Sequence, residues 1–180
     1  QNCNYENNTT IIDEDKIVNN INLLEWEFIP NKLFKLVKKL ISNDKSNLLD
    51  INYYRSNYGH DKKWVSKIKN DEFIHPVIYS INKDNSLNLR YSNTNKNGHF
   101  KKCKFIFSNG SGYCLDIDGN YGLTQWAYCI YDSPENLNLI HKAFQTDTFK
   151  NFVKSLEIDS SKYNIETMKF LKKDFYLEFI

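Results

Sequence analysis

Lys102-Cys103-Lys104-Phe105-Ile106-Phe107-Ser108-Asn109-Gly110-Ser111-Gly112-Tyr113-Cys114-Leu115-Asp116-Ile117-Asp118-Gly119-Asn120 is the stretch whose reading decides the fold. Before Asn109, Cys103, Phe105 and Phe107 alternate with Lys102, Lys104 and Ile106. After Gly112, Tyr113, Leu115 and Ile117 alternate with Cys114 and Asp116. Successive side chains of a strand point to opposite faces, so a period of two marks a half-buried strand. Asn109 to Gly112 lies between the two runs, and Asn and Gly reach the positive φ that a tight hairpin turn needs. Asp118-Gly119-Asn120 turns the chain again, and Tyr121 to Tyr131 is the longest strand candidate. Residues 99–131 are therefore expected to form consecutive antiparallel strands, with a tight turn at Asn109-Gly110.

Two registers follow from that hairpin. A two-residue turn sets Cys103 against Asp116 and Cys114 against Phe105. A four-residue loop sets Cys103 against Asp118 and Cys114 against Phe107. Neither opposes the two cysteines, so they are not expected to bond to each other. A bridge from Cys3 to a sheet cysteine is the expected alternative in an oxidising compartment.

Upstream, Phe73 to Ile81 reads as a strand with Pro76 at an edge or bulge. Asn82 to Asn85 makes a turn, and Leu87, Leu89 and Tyr91 alternate in a second strand. Leu24, Trp26 and Phe28 alternate with Glu25 and Glu27, which predicts a strand stopped by Pro30. Asn31 stands where a helix cap is expected. Leu33, Phe34, Leu36, Val37, Leu40 and Ile41 then recur at helical spacing, with lysines on the other face. A short helix is expected from Asp61 to Lys69. Downstream, Ser133, Pro134 and Glu135 open a helix lined by Leu137, Ile140, Ala143 and Phe144. Asp147 is expected to cap a second helix, and Ser160 or Ser161 a third. Phe175, Leu177 and Phe179 predict a last strand. The order is that of an α+β fold, a central antiparallel β-meander packed against N-terminal and C-terminal helices. Residues 1–20 are expected to be a weakly structured lead, and residues 21–180 a single α+β domain.

Composition narrows the function classes. Hydrophobic residues make up 41% of the 180 residues, enough for a core, and no apolar run is long enough to span a bilayer. The 24 basic and 22 acidic residues leave a net charge of +2, which gives no broad attraction for nucleic acid. The chain opens at Gln1 without an initiator Met and carries four cysteines, which together favour an exported, periplasmic or secreted protein over a cytoplasmic one. The glycines do not form a phosphate loop, because Gly110 and Gly112 lie between two strands. No cofactor is implied.

Candidate chemistry is sparse. Asp116 and Asp118, two residues apart, are placed to act as acid and base with His99 near them, which is the reaction centre of a small hydrolase. The likeness of Asp116–Asn120 to a calcium loop ends after three positions, and no two histidines lie within four residues of each other, so no metal site is expected. Cys114 or Cys129 as a nucleophile lacks an activating context. Tyr53, Tyr54, Arg55 and Tyr58 crowd one loop, and Trp126 stands on a strand. Tyr, Trp and Arg are common anchors of protein interfaces. The expected function is a non-catalytic protein-binding module, such as an inhibitor, an immunity-type protein or a surface accessory protein, with another protein as partner. The alternatives are the small hydrolase and a structural subunit of an assembly.

Overall fold

Among the residues that the computed structural model describes (9–52, 57–59, 61–96, 99–108, 112–157 and 163–180), ten strands and four α-helices form. In chain order they are β1 (Thr9–Ile12), β2 (Val18–Ile21), α1 (Phe34–Leu40), β3 (Ile51–Asn52), β4 (Val65–Ser66), β5 (His75–Ile81) and β6 (Leu87–Ser92). Then come β7 (Lys104–Ser108), β8 (Tyr113–Asp116), β9 (Gly122–Leu123), β10 (Ala127–Ile130), α2 (Pro134–Gln145), α3 (Asp147–Ser155) and α4 (Ile165–Met168). The fold is α+β, with strands filling the middle of the chain.

Two four-stranded sheets stack beneath the helices. One runs β3-β10-β7-β8 and the other β4-β6-β5-β9. β7 explains the stacking, since all five of its residues are buried. Phe105 and Phe107 point to the helical layer and meet Phe144, while Ile106 points the other way to Ile78, Ile81, Leu123, Ala127 and Cys129. A strand buried on both faces needs apolar side chains on both, and the sequence supplies them everywhere but at Lys104 and Ser108. Ser108 bonds across to the second sheet, donating from Oγ to Ile81 O (2.8 Å) and accepting from Ile81 N (3.1 Å).

The hairpins β5–β6 and β7–β8 form as expected. The segment after β8 departs from the expected run of consecutive antiparallel strands. Tyr121–Tyr131 divides in two: β9 runs parallel to β5 in the second sheet, and β10 runs antiparallel to β7 in the first. Thr124 makes the corner, donating from N to Ile78 O (3.1 Å) and from Oγ1 to Tyr79 O (3.1 Å). Pro76 precedes Val77, where pairing with β9 begins, so its missing N–H breaks no ladder bond on that side.

The β7–β8 register differs from both expected ones. Lys104 lies opposite Asp116, and Ile106 opposite Cys114, with Ser108 N bonded to Gly112 O at 3.0 Å. Three residues, 109–111, separate that closing pair and lie outside the described residues. A loop one residue longer than the tight turn shifts every pairing by one and changes which side chains face each other.

Local capping accounts for the C-terminal helices. Ser133 accepts Asn136 N at 3.2 Å with Pro134 at the first helical position, as expected. Thr146, rather than Asp147, caps α3, and Asn164 caps α4; Ser160 and Ser161 lie outside the described residues. In α1 the cap residue is Leu33 at φ 58, with no side-chain bond, and not Asn31. Asn31 is committed elsewhere: its N–H donates to Ser155 O and its side chain to Glu157 O. Phe34, Val37, Leu40 and Ile41 are buried, and α1 is tied to the C-terminal segment through Ser42 N to Phe170 O (2.9 Å) and Lys172 N to Leu40 O (2.9 Å).

Three short expectations are overturned. Residues 24–28 form no strand: a 3-10 turn covers Leu23–Glu25, Leu24 is exposed, and Trp26 and Phe28 instead pack on Phe34 and Phe170. Residues 61–69 form turns around β4, not a helix, because Val65 and Ser66 pair with Ser92 and Tyr91. Residues 175–178 make a 3-10 turn, not a strand, which buries Phe175, Tyr176 and Phe179 and leaves Leu177 exposed. Residues 9–21, which overlap the expected lead, form the β1–β2 hairpin, whose turn is held by the Asp13 carboxylate.

Candidate functional site

Lys104 occupies an inward position of β7, between the sheets. With Asp116 directly opposite, the two side chains meet at 2.5 Å, 0% and 2% exposed. Lys104 Nζ also donates to His99 O (2.9 Å) and Lys102 O (3.1 Å), so its three protons have three acceptors. Asp116 in turn accepts Asn120 N (2.8 Å) and Tyr121 N (3.0 Å). One buried ion pair therefore fixes two turns, 99–102 and 116–121. The turns also bond to each other, Lys101 N to Gly119 O at 2.8 Å. Gly119 has φ +70, and a Cβ there would fall 2.4 Å from Lys102 N, so the approach needs glycine.

The two turns wall a polar cleft of about 500 Å3. Phe100, Lys101, Asp118, Gly119, Asn120 and Tyr121 come from the turns, and His75, Pro76 and Asn95 close it. Behind it lies a small core of Tyr58, Val77 and Phe100, with Val65 packed against it. Phe100 meets Tyr58 and His75 edge-on, with centroids 5.6 and 6.0 Å apart.

The candidate acid–base residues are separated by this arrangement. Asp118 is exposed in the cleft, whereas Asp116 is spent on Lys104 and the two turn amides. His99 is fully buried, its Nδ1 against the Tyr131 hydroxyl and 3.5 Å from Cys129 Sγ. Burial, then the charges of Lys104 and Lys102, pushes its pKa down to about 4, so the ring is neutral at pH 7. Burial also holds the Cys129 and Cys114 thiols up at about 12. A thiol so high is protonated and a poor nucleophile. Cys103, Cys114 and Cys129 are all free; the expected staple to the lead finds no counterpart among them, and Cys3 lies outside the described residues. Among the described residues no group of three or more His, Cys, Asp or Glu is placed to hold a metal ion.

Of the aromatic candidates, Tyr58 is buried behind the cleft, and Trp126 stands half-exposed at the corner between β9 and β10. Tyr53, Tyr54 and Arg55 lie outside the described residues. Two features escaped the sequence reading. His75 shares the cleft with Asp118, marked in the sequence only by its place before Pro76. Residues 62–74, the segment that carries β4 and leads into β5, expose large apolar side chains: Trp64 at 39%, Ile68 at 73% and Ile74 at 49%. Lys62, Lys63, Lys67 and Lys69 surround the first two in sequence.

No family model matches this chain, and no curated protein or solved structure matches it either. Among the described residues no helix is long and apolar enough to cross a membrane.

The exposed connection is held in shape. Trp64 Nε1 donates to Asn57 O (2.8 Å), and Asn93 N donates to Trp64 O (3.2 Å). Ser66 Oγ accepts Ile68 N and donates to Ile68 O (3.0 and 2.9 Å). Asn70 Oδ1 accepts the amides of Glu72 and Phe73 (3.0 and 2.8 Å). These bonds tie the backbone around Trp64 and Ile68 while both side chains stay exposed.

Proposed function

We propose that this chain is a non-catalytic protein-binding domain, and that its contact face is the 62–74 connection. The partner is a protein surface with an apolar recess and an acidic rim. The observation that carries this reading is Trp64, fixed by its own indole hydrogen bond and yet substantially exposed, on a connection that also exposes Ile68 and Ile74. Ordering a contact residue before binding removes an entropic cost of association, and a rigid Trp is a common energetic centre of an interface. Lys62, Lys63, Lys67 and Lys69 outnumber Asp71 and Glu72 over residues 62–74, and though Lys62 lies 3.8 Å from Asp61 the net positive charge is what an acidic rim complements. The buried state of His99 and of the Lys104–Asp116 pair favours binding over hydrolysis, since those groups serve the walls of the cleft.

Capture from the native source, followed by calorimetry with the purified partner, tests the proposal. Trp64→Ala with Ile68→Ser should weaken binding by about a hundredfold, on the order of 3 kcal/mol. Affinity should also fall with added salt. A partner that binds the double variant as tightly as the original chain rejects this face.

A further inference from the structure

A second cleft of about 500 Å3 lies between α3, the β5–β6 turn and the start of β8. Gly112, just before β8, is pressed on that turn. A Cβ on Gly112 would fall 2.0 Å from Asn82 O. Asn85, at φ 66, accepts Tyr113 N at 3.0 Å and locks the contact. Lys83, in the same turn, is thereby set on the cleft beside Tyr113. Across from it, Lys150, Val153 and Lys154 line the cleft from α3 at i, i+3 and i+4, which is one helix face. Tyr163 completes the wall.

The charges there are poorly neutralised. Lys150 has Asp147 at 3.3 Å, but both are exposed. Lys83 and Lys154 have no carboxylate within 4.0 Å among the described residues. Asp84, next to Lys83, turns its carboxylate to Ser86, accepting Ser86 N (3.0 Å) and Oγ (2.6 Å). Glu157 is the one acid among the described lining residues. Three lysines against Glu157 in the lining and Asp147 on Lys150 leave the cleft net positive, with Lys83 and Lys154 the charges a phosphate group would meet. Tyr113, Val153 and Tyr163 supply apolar wall, and burial keeps the Tyr163 phenol protonated as a donor.

We propose that this cleft binds a phosphate group carried on an aromatic body, with the phosphate among Lys83, Lys150 and Lys154 and the ring against Tyr113, Val153 and Tyr163. The ligand is either a free aryl phosphate or a phosphorylated tyrosine of a peptide, which present the same chemistry.

Amide chemical-shift titration with phenyl phosphate, inorganic phosphate and a short phosphotyrosine peptide tests it. Phenyl phosphate should shift the amides of Tyr113 and Lys154 and bind several-fold tighter than inorganic phosphate. Lys83→Ala and Lys154→Gln should each weaken it by about tenfold. Both side chains are exposed, so the fold should survive, and an unchanged far-ultraviolet spectrum checks this. Lys142→Ala, on α2, should leave binding unchanged. A peptide that binds tighter than phenyl phosphate identifies the peptide as the source, and the reverse order identifies a free ligand. No shift at these amides, equal binding by Lys83→Ala and Lys154→Gln, or equal binding of inorganic phosphate each overturns the proposal.

Discussion

Lys104 stands where the strand pattern calls for an apolar side chain, and its retention is explained by what its three protons hold. A buried ion pair is a weak source of net stability, because desolvating both charges offsets their attraction. Removing one partner is different, since the other is left charged and unmatched in the interior. Lys104→Met should therefore cost about 3–5 kcal/mol in urea unfolding. A loss under about 1 kcal/mol would mean that Asp116 is rescued by protonation or water, and that the pair does not hold the two turns. His99 supplies a second test. Its pKa is about 4 in the folded chain, against 6.5 as the ordinary value. Between those values the unfolded chain binds more protons than the folded one, so stability falls as the pH drops. Between about pH 8 and 6.5 stability should be level, and from there it should decline toward pH 4, by up to about 3 kcal/mol. His141, pushed down by its own burial, adds in the same direction. Urea midpoints across that range check the slope, and a flat profile refutes it. At this scale the sequence was half legible. Asp116 stood out as a carboxylate beside a turn, but its partner depends on a register that one loop residue decides, and residue identity alone does not reveal it.

Elements whose signals are local read correctly, and those decided by distant contacts did not. α2 carries its cap, its first-turn proline and its inner face within one continuous segment, so 133–145 could be read unaided. Residues 24–28 and 175–179 alternate as strands do, yet rings on other elements set their shape: Trp26 lies 5.5 Å from Phe34, and Phe149 5.1 Å from Phe179. Short aromatic runs lack the length for periodicity to override such contacts. The candidate site shows the same limit. Asp118 was visible, but His75 and Lys101 reach its cleft through sheet topology, and Trp64 falls within the expected 61–69 helix, which does not form. Gly112 tests the seam between two elements. It looks like an ordinary hairpin glycine, but its missing Cβ lets the start of β8 lie on the β5–β6 turn at Asn82. Gly112→Ala should cost about 1–3 kcal/mol through a clash with backbone that cannot swing aside. It should also displace Tyr113 from Asn85, visible as a shift of the Tyr113 amide. A neutral substitution would show that the two separate freely.

Across the whole molecule the question is whether the second sheet is a separate unit or part of one cooperative body. Besides the Asn85–Tyr113 contact, three links tie it to the first: the apolar layer of Ile78, Ile81, Ile106, Leu123, Ala127 and Cys129, the paired bonds of Ser108 with Ile81, and the Thr124 corner where the chain changes sheets. The layer is small beside the core that joins the first sheet to the helices, so the polar links matter in proportion. The Ser108 bonds are buried, and removing the hydroxyl strands both the N–H and the C=O of Ile81. Each buried polar group left without its partner costs about 1–3 kcal/mol. With all three links intact, unfolding should be one transition. The tryptophans report on different parts of the molecule: Trp26 against the helical layer through Phe34, and Trp64 on the connection beside β4. Variants that retain only Trp26 or only Trp64, the other tryptophans replaced by Phe, should show the same urea midpoint by fluorescence. Adding Ser108→Ala should lower the Trp64 midpoint more than the Trp26 midpoint, because the seam weakens while the helical core stays intact. Midpoints already apart before that substitution would make the second sheet an independently melting unit. Midpoints that fall together after it would place the cooperative seam in the apolar layer and the Thr124 corner, with Ser108 a stabilising bond inside one body.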